Sequence, residues 1–137
     1  MIRIAFLGSD STHTEAFGNL LNNPSAPFHG RARAVSIWGS DPAQTASKAA
    51  ALGIERVCAS IPDALEGADF AMVIGRFGDS HYEPARIALD RGIPAFVDKP
   101  FTTDLEQTRS LIRLAQDRQS TRLNSSHVSE SRMPSSA

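Results

Sequence analysis

Residues 2–13, IRIAFLGSDSTH, decide the fold, because they run from a buried strand through a glycine turn into the start of a helix. The apolar run from Ile2 to Leu7 is rich in β-branched and aromatic side chains and stops at Gly8, which is the pattern of a strand that is buried on both faces. A helix is predicted from about Ser11 to Asn22, where apolar residues recur at helical spacing: Ala16, Phe17, Leu20 and Leu21.

The same order of strand, turn and helix recurs along the chain. Four more apolar strands are predicted, at residues 34–38, 56–59, 69–74 and 94–97. Helices are predicted to begin near Pro42, Ile61, Ser80 and Thr103, the last two with the Ser/Thr-x-x-Glu spacing of a capping box. Strands that alternate with helices form right-handed crossovers and a parallel sheet. The predicted fold is therefore α/β, a doubly wound parallel sheet.

A sheet of this kind predicts where a site lies. Ligands bind beyond the carboxyl ends of the strands, where helix N-termini and free loop amides converge. Four loops follow predicted strands at that edge, and they comprise residues 8–13, 38–41, 75–81 and 98–100. The functional residues are expected in these loops.

Composition and charge exclude several classes of function. The 137-residue chain has 14 Lys and Arg against 15 Asp and Glu, a net charge of −1, so it offers no field that would gather nucleic acid or a membrane surface. Cys58 is the only cysteine, which excludes a disulfide scaffold, and the histidines have no metal-ligand spacing with it. No apolar run is long enough to span a bilayer, and the N-terminus lacks a leader pattern. We expect a cytoplasmic protein without a metal and without nucleic-acid or membrane partners.

The last 18 residues, STRLNSSHVSESRMPSSA, differ in composition from the rest of the chain. They contain seven Ser and only three larger aliphatic side chains, too few to order the segment by burial. The string also resembles the in-frame translation of a short-read sequencing adapter, with a genuine Ser-rich linker as the alternative. We therefore expect a nucleotide-binding domain at residues 1–119 and a disordered tail at residues 120–137 that is an artefact.

The loop after the first strand matches a dinucleotide-binding motif in part. The motif G-x-G-x-x-G needs glycines for a tight turn, for the approach of a pyrophosphate and for close helix packing. Here Gly8 holds the first position, while Asp10 and His13 hold the other two. The carboxylate of Asp10 opposes a pyrophosphate, yet the amides of Ser11, Thr12 and His13 at the helix start still suit an anion. The alternative is a polar loop that only caps the helix.

The end of the second strand leaves the choice of cofactor open. An acidic residue there normally accepts hydrogen bonds from the adenosine ribose. This chain has Gly39 at that position and Ser40 after it, while Asp41 is expected to belong to the next helix. Both NAD and NADP are compatible with this pattern.

The strongest local signal is the run FVDKPF at residues 96–101. A lysine at the end of a parallel strand, followed by a proline that prevents helix continuation, directs an ammonium group into the ligand crevice. Lys99 beside Asp98 then holds a substrate hydroxyl or takes part in proton transfer. The alternative is a surface lysine that forms an ion pair with Asp98.

These residues resemble the N-terminal nucleotide-binding domain of the glucose-fructose oxidoreductase, inositol dehydrogenase and MocA (Gfo/Idh/MocA) oxidoreductases. That family has a loop histidine, a later glycine and a strand ending in Glu-Lys-Pro, and this chain has His81, Gly92 and Asp98-Lys99-Pro100. The resemblance covers about residues 2–117 and implies a Rossmann-like fold with Lys99 as the catalytic residue. It implies that NAD or NADP is bound by Gly8, Asp10, Ser11, Thr12, His13, Gly39, Ser40, Gly75, Arg76, His81, Asp98, Lys99 and Pro100.

The resemblance also implies the function of the whole protein. It predicts an oxidoreductase that transfers hydride to or from a sugar, polyol or inositol-like substrate, and that is a homo-oligomer. It predicts a second α/β domain carrying most substrate contacts; because the chain stops where that domain should begin, the fragment alone is expected to be inactive. The altered glycine loop keeps a second hypothesis open, a non-catalytic nucleotide- or sugar-binding module.

Overall fold

A computed structural model describes residues 1–117 and 123–124 and contains one parallel sheet. The strands are β1 (Ile2–Leu7), β2 (Ala32–Trp38), β3 (Arg56–Cys58), β4 (Phe70–Val73), β5 (Ala95–Val97) and β6 (Leu123–Asn124). They lie in the order β3-β2-β1-β4-β5-β6, so the chain builds outward from β1 in one direction and then in the other. This order is that of the doubly wound nucleotide-binding sheet. The predicted fold class is confirmed.

Five helices connect the strands within the described residues: α1 (Thr12–Asn22), α2 (Pro42–Leu52), α3 (Ile61–Leu65), α4 (Tyr82–Asp90) and α5 (Leu105–Asp117). The buried side chains form two hydrophobic cores, one on each face of the sheet. Helices α1 and α2 contribute to one core, and α3, α4 and α5 contribute to the other. The longest of them, α5, has 13 residues. In the part of the chain that the structure describes, no helix is long and apolar enough to cross a membrane.

Alternate residues of β1 enter the two cores. Ala5 and Leu7 belong to the core on one face, and Ile4 and Phe6 belong to the core on the other. These four side chains are all buried, as the continuous apolar run predicted. Complete burial of a side chain such as Phe6 stabilises the fold by about 1.5–3 kcal/mol. The central strand is thus anchored from both sides, and the loop after it starts from a fixed position.

The strand ends are in register at the edge where a site was predicted. Leu7 pairs with Trp38 on one side and with Val73 on the other, and Val73 pairs with Val97. The loops after β1, β2, β4 and β5 therefore leave the sheet at the same level. The point where the strand order reverses lies between β1 and β4.

Both capping-box predictions were wrong in detail. The Ser80 hydroxyl donates to the Phe77 carbonyl oxygen at 2.6 Å within a 3-10 turn, and α4 begins only after it. Glu83 pairs with an arginine of its own helix instead of a capping residue. At α5, Asp104 Oδ1 accepts hydrogen bonds from the first backbone N–H groups at 2.8 and 3.3 Å, so this carboxylate caps the helix in place of Thr103. An ionised acceptor one residue nearer the helix makes the stronger cap.

The strand β6 was not predicted. Leu123 pairs with Ala95 and Asn124 with Phe96 along the edge of β5. Both residues fall in the segment that was expected to be a disordered tail, and the bounds of the domain and the tail stay a prediction. The outer edge of β5 offers unpaired backbone groups, and pairing with them needs no particular side chains. The remainder of the predicted tail lies outside the described residues.

Candidate functional site

The predicted residues meet at one edge of the sheet, and all but one of them lie in loops that directly follow a strand. Gly8, Asp10, Ser11, Thr12 and His13 follow β1, Gly39 and Ser40 follow β2, Gly75 and Arg76 follow β4, and Asp98, Lys99 and Pro100 follow β5. The exception is His81, whose ring is buried. The positions agree with the expected ones, while the role of each residue stays a prediction.

Gly8 brings the loops after β1 and β4 into contact. Its φ is +120°, and a Cβ on this residue would lie 2.5 Å from the Gly75 nitrogen and 2.7 Å from the Gly75 Cα. Only glycine combines this backbone angle with such a close approach. The Gly8 N–H donates to the Trp38 carbonyl oxygen at 2.7 Å, so the turn is also tied to β2. The first motif glycine therefore performs the structural task that the motif requires.

The start of α1 presents backbone N–H groups to this edge. The Ser11 hydroxyl caps the helix by accepting a hydrogen bond from the His13 N–H at 3.0 Å. Within residues 1–117, the backbone N–H groups of Ser9, Asp10, Ser11 and Thr12 have no hydrogen-bond acceptor. Unpartnered N–H groups at a helix start, together with the helix dipole, favour a bound anion.

Asp10 occupies the position of the second motif glycine. Its Oδ1 accepts a hydrogen bond from the Arg76 N–H at 2.9 Å, which joins the loop after β1 to the loop after β4. The Arg76 guanidinium lies over the exposed Phe77 ring, 5.4 Å from its centroid. The carboxylate is thus held by a neighbouring backbone, but its charge still opposes a phosphate group.

Gly39 lies against two hydroxyl groups. Ser9 Oγ and Thr45 Oγ1 are hydrogen-bonded at 2.8 Å and buried, and a Cβ on Gly39 would collide with both. An acidic side chain at position 39 is therefore sterically incompatible with these neighbours. Asp41 caps α2 by accepting from the Gln44 N–H at 3.2 Å, as the sequence predicted. Ser40 is exposed, so its hydroxyl is the side-chain group of residues 39–40 that is accessible to a ligand.

Asp98 pairs with His13 and not with Lys99. One carboxylate oxygen, Oδ2, accepts a hydrogen bond from His13 Nδ1. The other, Oδ1, accepts from the Lys99 backbone N–H at 2.9 Å. Among the described residues Lys99 forms no ion pair, and its side chain is exposed. The alternative of a lysine neutralised by Asp98 is therefore wrong.

His81 is an internal link between two loops. The ring is fully buried, with Nε2 2.7 Å from the Gly75 carbonyl oxygen and Nδ1 3.1 Å from the Phe101 carbonyl oxygen. It therefore joins the loop after β4 to the segment that follows Lys99, and its ring has no exposed surface. Buried polar side chains are normally hydrogen-bonded, and both ring nitrogens of His81 lie within hydrogen-bond distance of a carbonyl oxygen.

Two residues outside the predicted site set also shape this edge. Ser9 packs against Gly39, and its only signal was its place directly after the first motif glycine. Phe17 contacts the His13 ring edge to face at a centroid distance of 5.8 Å, and it contacts Phe96 in the same way at 5.8 Å. The spacing of four residues between His13 and Phe17 is a recognised signal for side-chain contact on a helix.

The surroundings shift the pKa values of a thiol and a carboxyl group in the described part of the chain. Burial raises the pKa of the Cys58 thiol, while the hydrogen bond from Arg86 lowers the pKa of the Glu83 carboxyl. Neither group belongs to the predicted set. Across the described residues, no three His, Cys, Asp or Glu side chains lie close enough together to hold a metal ion.

The backbone at this edge suits a dinucleotide cofactor, whereas two side-chain positions differ from the dinucleotide-binding pattern. The tight crossing at Gly8 and the free N–H groups from Ser9 to Thr12 suit a pyrophosphate. Asp10 adds a negative charge, and Gly39 supplies no carboxylate for the ribose. Within residues 1–117, four free backbone N–H groups lie at this site against the single carboxylate of Asp10, so the residues present fit the pyrophosphate of a dinucleotide.

Comparison with known proteins agrees with this geometry. Residues 2–125 match the Gfo/Idh/MocA family model, described as an oxidoreductase family with an NAD-binding Rossmann fold. A curated relative, the UDP-N-acetylglucosamine 3-dehydrogenase of Acidithiobacillus ferrooxidans, is 34% identical over 77 residues, which are 55% of this chain and 25% of the relative. The family and cofactor class suggested by the sequence are confirmed.

Solved structures of longer proteins share the fold. A Gfo/Idh/MocA oxidoreductase from Vibrio cholerae has a TM-score of 0.77 at 24% identity over 91% of this chain and 38% of its own. The scyllo-inositol dehydrogenase from Lactobacillus casei, solved with NAD(H) and scyllo-inositol, has a TM-score of 0.77 at 17% identity over 92% of this chain and 36% of its own. The chain thus spans less than two fifths of these relatives. It belongs to the Gfo/Idh/MocA oxidoreductase family, through that family's NAD-binding Rossmann fold.

Proposed function

We propose that this chain is the cofactor-binding part of an NAD(P)-dependent oxidoreductase that transfers hydride to or from a sugar, polyol or inositol-like substrate. The observation that carries the proposal is the meeting of two features at one edge of the sheet. The free N–H groups at the start of α1 suit the phosphates of a dinucleotide, and the exposed, unpaired Lys99 lies at the end of β5. A dinucleotide across this edge brings its reactive ring towards the lysine.

Each group has a separate task in this proposal. The helix start and the loop after β1 bind and orient the cofactor, which supplies the hydride chemistry. The Lys99 amine holds the reacting hydroxyl of the substrate and takes its proton when that carbon is oxidised. His81 keeps the loop after β4 and the segment after Lys99 together through its two carbonyl contacts. The remaining substrate contacts come from a second α/β domain of the whole protein.

The substrate class rests on the relatives. The curated relative is named for a reaction at position 3 of UDP-N-acetylglucosamine, and a solved relative contains scyllo-inositol. Position 3 of that sugar and the carbons of scyllo-inositol carry secondary hydroxyl groups on a ring. A secondary ring alcohol is therefore the substrate class that we propose, in a cytoplasmic homo-oligomer.

Titration calorimetry of the 137-residue chain with NADH and with NADPH tests this function. We expect a micromolar Kd for at least one of them. Lys99→Ala should leave that Kd within about threefold, because Lys99 acts on the substrate hydroxyl, while it lowers turnover in the whole enzyme. Failure of both dinucleotides to bind would refute the proposal.

One observation favours a second candidate, a non-catalytic nucleotide- or sugar-binding module. Asp10 places a carboxylate at the position where the motif needs a glycine, and the Arg76 N–H holds it there. In a module of this kind, Asp10→Gly would create dinucleotide binding that the natural chain lacks. In the enzyme, the same change strengthens binding that already exists, by about tenfold if one repulsion of about 1.4 kcal/mol is removed. Calorimetry of the two chains side by side separates the candidates.

A further inference from the structure

We propose that His13 is a positioning residue that holds the Asp98 carboxylate away from the Lys99 ammonium and so keeps the Lys99 amine free to react. The inference rests on the proposed function, because it concerns the availability of Lys99 to a substrate hydroxyl. It gives a role to a side chain at the third motif position, where a glycine would be expected.

The argument begins with the two oxygens of Asp98. Oδ2 is taken by His13 Nδ1, and Oδ1 is taken by the backbone N–H of Lys99 at 2.9 Å. The Asp98 backbone N–H donates to the Val73 carbonyl oxygen at 2.9 Å, so the residue is also held at the end of β4. Its side chain is only 10% exposed. Each oxygen therefore already has a hydrogen-bond partner, and among the described residues neither forms an ion pair with the Lys99 side chain.

The imidazole ring is itself held in place. It packs edge to face on Phe17, and Phe17 packs edge to face on Phe96, both at centroid distances of 5.8 Å. Phe96 lies on β5, two residues before Asp98. The chain of aromatic contacts therefore returns to the strand that carries the carboxylate, and it aligns Nδ1 with Oδ2. Edge-to-face packing is the favoured geometry for such rings.

Loss of the His13 contact would change the surroundings of Lys99. Oδ2 would lose its partner, and the next residue along the chain, Lys99, carries an ammonium group on a flexible side chain. An ion pair between them favours the charged form of the lysine, because an opposite charge stabilises it. Exposed pairs are worth up to about 1 kcal/mol. We therefore expect the fraction of free Lys99 amine to fall by about threefold.

Competitive labelling with acetic anhydride measures this fraction directly. The chain has two lysines, Lys48 and Lys99, so each can be quantified by mass spectrometry. The α-amino group of Met1 serves as a reference, since it precedes β1 at the opposite edge of the sheet. The measurement uses the 137-residue chain at pH 8 without cofactor. Thermal melting checks that each variant is folded.

Three variants at position 13 separate hydrogen bonding from packing. His13→Ala removes both, His13→Phe keeps the aromatic contact without a donor, and His13→Asn restores an N–H at the position of Nδ1. We expect Lys99 labelling, relative to Met1, to fall about threefold in the Ala and Phe variants and to recover in the Asn variant. His29→Ala, at an exposed histidine before β2, should leave it unchanged.

Three results would overturn the proposal. Unchanged labelling in the Ala and Phe variants would show that His13 does not control the lysine. If Lys99 labelling in the Phe variant equalled that of the natural chain, ring packing and not hydrogen bonding would be responsible. If labelling stayed low in the Asn variant, the effect could not be assigned to the Nδ1 hydrogen bond. A chain that shows the expected labelling pattern but binds neither NADH nor NADPH would contradict the proposed function alone.

Discussion

Gly8→Ala tests the crossing of the loops after β1 and β4. At a φ of +120°, an L-residue costs about 1–3 kcal/mol in backbone strain. The new methyl group would also lie 2.5 Å from the Gly75 nitrogen, and forcing an extra methyl into a tightly packed site costs about 1–3 kcal/mol more. The expected loss of stability is therefore about 2–6 kcal/mol, a large fraction of the about 5–15 kcal/mol that stabilises a typical domain.

Urea denaturation followed by far-ultraviolet circular dichroism measures this loss. Gly30→Ala is the matched control, because Gly30 has a φ of +86° and a Cβ on it would meet no atom within 4 Å. In the control, the substitution lowers the free energy of unfolding only through backbone strain, because the new methyl group contacts no other atom of the described residues. We expect Gly8→Ala to lower the free energy of unfolding by at least about 1 kcal/mol more than Gly30→Ala. Equal losses in the two variants would refute the close crossing.

Three further predictions concern other contacts. Gly39→Asp should lower the free energy of unfolding by about 1–3 kcal/mol, and Ser9→Gly in the same chain should recover part of it; additive losses in urea denaturation would contradict the overlap. Glu83→Gln should cost about 0.3 kcal/mol at pH 7, because hydrogen bonding to Arg86 lowers the folded-state pKa of Glu83. This contribution is present above the Glu83 pKa of the unfolded chain and is lost as the pH falls through the lowered folded-state value, so the melting temperatures of the two chains should converge once the pH is below that value. Burial raises the pKa of Cys58, so iodoacetamide should react with it more slowly at pH 7 in the folded chain than in urea; equal rates would exclude the effect.

The strands could be predicted because burial on both faces leaves a simple pattern. Residues 4–7 are continuously apolar and buried, and the structure places their strand at the centre of the sheet. Helix packing was harder to predict. Leu20 is 45% exposed, whereas the polar Asn22 is buried and hydrogen-bonded to Ala34 and to the Leu52 carbonyl oxygen. The amide satisfies backbone groups of two other elements, and the local sequence of α1 carries no sign of them.

The candidate site could be located from the sequence, but its contacts could not. Parallel strands place their carboxyl ends together, so the four loops followed from the fold. The pair of His13 and Asp98 joins residues 85 apart, and the contact of Asp10 with Arg76 joins residues 66 apart. Both depend on the register of β1, β4 and β5, which side-chain patterns alone do not specify. For this reason Lys99 could not be distinguished from a lysine paired with Asp98.

Chemical-shift mapping of the 15N-labelled chain with NADH tests the central claim most directly. The account predicts that the backbone amide shifts change most at residues 8–13, 39–40, 75–76 and 98–99, which lie at one edge of the sheet. Amides at the opposite edge, such as those near Gly30 and Gly92, should stay unchanged. Shifts concentrated at that opposite edge, or no shifts with either NADH or NADPH, would contradict the assignment of a dinucleotide site to the carboxyl ends of the strands.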